Sequence, residues 1–83
     1  LLDADCGVTP ADMLARLNEA SIEGRHLWKP MNLQPVFADC PFVSVSDKPV
    51  CDDLFARGVC LPSDTKMRMD DVDRVCEVIR GMF

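Results

Sequence analysis

Eighty-three residues with 48% hydrophobic and 28% charged side chains exclude a disordered chain and allow one small domain with a thin core. A net charge of −5 works against a phosphate-backbone partner, which needs clustered Lys and Arg. No apolar run approaches the roughly 20 residues of a membrane-spanning helix, so neither nucleic acid nor a membrane is an expected partner.

Leu1-Leu2 reads as the tail of a strand. An opening on these residues, with neither the methionine of a start nor the pattern of a signal peptide, is what a piece of a longer chain would show. Thr9-Pro10 is a helix start: Thr caps well, Pro is tolerated at the first helical position and Asp12 suits the positive end of the helix dipole. Met13, Leu14 and Leu17 recur at helical spacing, which predicts a helix over 10–20 with one buried face. Residues 22–28 predict a strand weakened by Gly24. From Lys29 to Lys48, Pro30, Pro35 and Pro41 forbid a long helix or central strand. With Trp28 just before it, that loop carries Met31, Leu33, Val36, Phe37 and Phe42, an apolar load expected to cover something.

Pro49 starts a second helix, with Cys51, Leu54 and Phe55 on one face and Gly58 expected in left-handed geometry at its end. Val59-Cys60-Leu61, closed by Pro62, suits a buried strand. Val72, Val75, Cys76 and Ile79 mark a last amphipathic helix whose acidic start, Asp70, Asp71 and Asp73, complements its dipole. The order β-α-β-loop-α-β-α predicts a single α+β domain over 1–83, a short, mainly antiparallel sheet packed against helices.

Five cysteines without a C-x-x-C pair fit neither an even-numbered disulfide scaffold nor a structural zinc site. Cys51, Cys60 and Cys76 fall among apolar residues and read as reduced core positions, which implies a reducing cytoplasm. His26, the only histidine, has Glu23 on the opposite strand face and reads as a surface residue. No nucleophile elbow or family-type cysteine signature surrounds a serine or cysteine. The acidic group at 70–73 lacks the spacing of a calcium loop, and Asp52-Asp53 reads as dipole compensation.

The segment holding Arg25, Trp28, Lys29, Met31, Asn32 and Gln34 mixes cations, an aromatic face and amides, a set suited to an anionic, ring-bearing ligand. The same Trp28 and Met31 would equally serve as the plug of a thin core.

LNEASIEGRHLWKPMNLQPVF at 17–37, KPVCDDLFARGVCLPSD at 48–64 and the stretch Asp71-Val72-Asp73-Arg74-Val75 resemble, in order and in register, the C-terminal region of the DegT/StrS family of pyridoxal-phosphate-dependent sugar aminotransferases. His26 stands where that family commonly has proline, Asn32 where it has histidine, and Arg68 near a usual Ser/Thr cap. The resemblance implies the small domain of a fold-type-I enzyme, cytoplasmic and homodimeric, that moves an amino group, from glutamate in most members, to a nucleotide-linked ketosugar. It implies that pyridoxal 5′-phosphate and its Schiff-base lysine belong to a large domain of the same parent chain, with no cofactor held by these 83 residues. It also implies that Trp28, Lys29, Met31 and Asn32, supported by Arg25, form part of the substrate-binding wall. Leu54, Phe55, Gly58, Leu61 and Pro62 match as packing and turn residues. A freestanding, non-catalytic module binding a nucleotide-sugar or a protein is the alternative.

Overall fold

Thr9 and Asp12 close a capping box: Thr9 Oγ1 accepts from Asp12 N at 3.2 Å and Asp12 Oδ2 accepts from Thr9 N at 2.9 Å. With Pro10 in the first turn, this starts helix α1, Pro10–Glu19. The computed structural model describes residues 1–83. After α1 come strand β1 (Arg25–His26), two 3-10 turns (Met31–Leu33 and Pro35–Phe37), helix α2 (Val50–Arg57), strand β2 (Val59–Cys60) and helix α3 (Met69–Arg80). No helix is long and apolar enough to cross a membrane.

The end of α1 sets the course of the chain beyond it. Ser21 adopts a left-handed conformation at φ 56°, Ile22 N donates to Leu17 O at 2.9 Å, and Ser21 N donates to Asn18 O at 2.9 Å. These are the two bonds of a Schellman motif, and its accompanying apolar contact is present because Leu17 and Ile22 share the core. The chain then reverses and passes over α1 so closely that a Cβ on Gly24 would stand 2.8 Å from Leu14 Cδ2 and 3.0 Å from Leu17 Cδ1. Glycine at 24 is therefore a close-approach residue as well as a weak strand former.

β1 pairs antiparallel with β2, Arg25 opposite Cys60 and His26 opposite Val59. Both strands are two residues long, shorter than the sequence predicts, because this two-stranded ribbon has no third strand to extend its ladder. The expected first strand is absent. Leu2 N donates to Arg57 O at 3.0 Å, and Arg57 Nη1 donates back to Leu2 O at 2.6 Å, so an arginine side chain replaces the second backbone bond of a ladder.

Met13, Leu17, Ile22 and Val75 are the buried apolar core, with Leu2, Val8, Ala20, Val59, Val78, Ile79 and Met82 packed around it. α1 and α3 form the main layer, and Arg74 of α3 donates to Ala20 O at the C-terminal end of α1, where a cation favours the helix dipole. α3 begins at Arg68 without a side-chain acceptor for its first amides; Asp71 instead accepts from Arg68 N at 2.9 Å, half of a capping box.

Two further expectations need correction. Gly58 is extended, at φ −92° and ψ 144°, not left-handed. Its glycine is required for space, since a Cβ would sit 2.0 Å from Leu27 Cδ1 and 2.6 Å from Leu54 O. The apolar face of α2 is also not core: Cys51 and Leu54 are exposed and Phe55 is half-buried. That face looks into an open hollow beside the loop instead of onto α1 and α3. Cys60 and Cys76 are half-buried, and all five cysteines are free thiols.

Candidate functional site

The hollow is the place where the loop meets α2. It has a volume of about 560 Å³, with Trp28, Lys29 and Met31 along the loop side, Cys51, Leu54 and Phe55 along the helix side, and Gln34 at the edge. Proline geometry accounts for the loop side. Pro30 stays extended at ψ 147° and leads into the turn at Met31–Leu33, which ends where Gln34 N donates to Met31 O. Gln34 Nε2 also donates to Lys29 O at 3.1 Å, closing the segment on itself.

Trp28 is 88% exposed and Met31 60% exposed. A plug of the core would be buried, and these side chains face solvent instead. Lys29 is the only charged side chain lining the hollow, and it makes no ion pair with any carboxylate of the chain. The hollow thus offers apolar walls, the aromatic rings of Trp28 and Phe55 and one unneutralised cation, the combination that holds a ring next to a negative charge.

Asn32 is directed elsewhere. Its Nδ2 donates to both carboxylate oxygens of Asp52, at 3.0 and 3.2 Å. A carboxylate only accepts, so the amide must present nitrogen there. Arg25 lies apart: its Nε donates to Glu23 Oε1 at 2.9 Å, and it lines a separate depression with Cys60, Leu61 and Pro62. Both members of the Arg25–Glu23 pair are more than 70% exposed, so the pair adds little stability, though it neutralises the guanidinium. Of the five residues read from the sequence as a wall, three share the hollow, one is tied to the helix beside it and one is outside it.

Sequence reasoning missed the far wall. Cys51, Leu54 and Phe55 are legible as one helix face, but that pattern points to packing, and Asp52 reads as dipole compensation alone. Cys51 Sγ donates to Asp52 Oδ1 at 3.4 Å. The desolvating surroundings, followed by that carboxylate, push its thiol above the usual cysteine range, which keeps it protonated and poorly nucleophilic.

A second hollow, about 420 Å³, is bounded by Leu1, Leu2, Met13, Leu61, Ile79 and Phe83 with Asp3 as its only charged group. It lacks convergent polar groups to orient a ligand and is the incompletely filled edge of the core.

A Schiff-base lysine needs a desolvated setting that lowers its pKa. Lys29, Lys48 and Lys66 are all exposed, so none of the three fits the carrier position for pyridoxal phosphate.

The chain is a small α+β domain that turns an apolar, singly charged wall toward solvent. The DegT/DnrJ/EryC1/StrS aminotransferase family matches residues 1–80, and the chain belongs to that family. It is 47% identical over 83 residues to the "Putative pyridoxal phosphate-dependent aminotransferase EpsN" of Bacillus subtilis (strain 168), covering 99% of this chain and 21% of that protein. The chain thus spans about a fifth of the length of this curated relative. No solved structure matches it.

Proposed function

We propose that these residues are the small domain of a pyridoxal-phosphate-dependent enzyme that transfers an amino group, from glutamate, to a nucleotide-linked ketosugar. In this reading the cofactor supplies the electron sink from a large domain of the same parent, which works as a cytoplasmic homodimer. The 83 residues carry no step of the amino transfer. Their part is to bind and to exclude water: Lys29 meets the diphosphate charge, Trp28 covers a sugar or base ring, and Met31 packs beside it. Asn32 supports that wall from the side, and Arg25 stands at its margin.

The observation that carries the reading is the placement of Trp28 and Lys29, an exposed ring and an unpaired cation in one hollow. Membership of an aminotransferase family and the relative's description as pyridoxal phosphate-dependent support the cofactor class. A titration of the 15N-labelled chain with uridine diphosphate tests it. The expected result is weak, roughly millimolar binding, with shifts at 28–34 and 51–55 that Lys29→Ala removes. Shifts confined to other residues would overturn the site. Micromolar affinity for the chain alone would overturn the shared wall and favour the freestanding module.

A further inference from the structure

Between Trp28 and Lys48, every backbone hydrogen bond stays within the segment. The side-chain bonds of Gln34 and Ser46 stay within it as well. The pair of bonds from Asn32 to Asp52 is the segment's only hydrogen-bonded attachment to the rest of the chain. We propose that Asp52 is a positioning residue: it latches Asn32 and thereby fixes the spacing between the two walls of the hollow. On this view Asn32 serves the latch and does not contact the ligand. The proposal rests on the reading of the hollow as a substrate wall.

The arrangement suits that task. Short 3-10 turns have poor hydrogen-bond geometry and do not hold themselves in place. Asp52 sits in the first turn of α2, where the helix fixes its backbone and the dipole favours its charge, so it is a firm anchor. Both partners are half-buried, which limits competition from water, and bonds to a charged acceptor are the stronger kind. Asp52 is flanked by Cys51 and precedes Leu54 and Phe55 by two and three residues, so the latch joins the loop wall to the same turns of α2 that form the opposite wall. Twenty residues separate the two partners, which is why neither helical periodicity nor motif reading pairs them.

Asn32→Asp sets two carboxylates against each other, whereas Asn32→Asp combined with Asp52→Asn exchanges donor and acceptor and rebuilds the bond. NMR relaxation on the 83-residue chain reads the outcome. In the single variant, 15N order parameters across 31–38 fall below about 0.6 while α1 and α3 keep their resonances; in the exchanged double variant they return to the original values. Should the single variant unfold, Asn32→Ala, which removes the amide without adding charge, is read in its place. Unchanged order in the single variant, or no recovery in the double, overturns the latch. Uridine diphosphate separates the two layers of the argument. Ligand-induced shifts at Trp28 and Lys29 vanish in the single variant and reappear in the exchanged one if residue 32 only positions. Recovered order without recovered shifts makes residue 32 a ligand contact and overturns that half of the proposal. An original chain that shows no such shifts sinks the substrate-wall reading, while the order parameters still decide the latch.

Discussion

Gly58 is the residue where the fold is least forgiving. It is one of the five buried positions, and the carbonyl of Leu54 and the side chain of Leu27 converge on the space a methyl group would need. A side-chain tip can rotate away, but a backbone oxygen at 2.6 Å moves only with α2. Gly58→Ala is therefore expected to destabilise the chain by about 2–3 kcal/mol, read as a lowered midpoint in urea with an unchanged slope. The sequence marks this glycine, but for the wrong reason. Position after a helix suggests a left-handed turn, and nothing local shows that Leu27 from another segment presses on it. The same limit hides Asp52. Trp28, Lys29 and Met31 are legible because they are neighbours in sequence, while their partners across the hollow are known only once the loop folds back. Arg25 groups with them by proximity in sequence, yet it stands on a strand and turns toward Glu23, away from Lys29.

Among the elements, α1 and α3 are readable because their signals are local: a capping residue at the start of α1, and in both an acidic first turn and apolar spacing that repeats each turn. The strands read too long because β pairing depends on partners, and a two-stranded ribbon offers only one. Two carboxylates tie element stability to pH. The hydrogen bonds from Thr9 hold Asp12 below the usual carboxylate range, and those from Arg57, at 2.8 and 2.6 Å, do the same for Asp53. A depressed folded-state pKa contributes stability that is fully present above the unfolded value, near pH 4, and is lost as pH falls through the folded value. Chemical denaturation at pH 7 and at pH 2–3 is thus expected to show weaker stability in acid. Asp53→Asn should shrink that difference; an unchanged difference would dissociate the Asp53–Arg57 pair from stability.

At the scale of the molecule, the dimensions report an unfilled shape. A compact chain of 83 residues has a radius of gyration of about 12 Å, against the observed 15.5 Å. A 9.2 kDa protein exposes about 4,900 Å², against 6,614 Å². The excess, roughly 1,700 Å², is of the order that one side of an extensive permanent interface removes from water. Much of the exposed apolar surface is carried by Trp28, Met31, Val36, Phe42, Val43 and Val45 in and beside the loop and by Val50 of α2, so the loop expected to cover something leaves much of its apolar load facing solvent. Amide exchange over 38–48 is accordingly expected to be fast in this chain alone and, on the proposed reading, slowed where a large domain covers that stretch. Uniform protection across that stretch in the isolated chain would contradict an arm awaiting a platform.

None of Met13, Leu17, Ile22 and Val75 belongs to the arm or the wall. On the proposed reading of the hollow, folding and recognition draw on separate sets of side chains, joined through the Asn32–Asp52 bonds. Such a division leaves selectivity free to drift: new side chains can be tried at the solvent-facing positions of the arm without unsettling the scaffold beneath. Diversification in descendants of this chain has its cheapest route there.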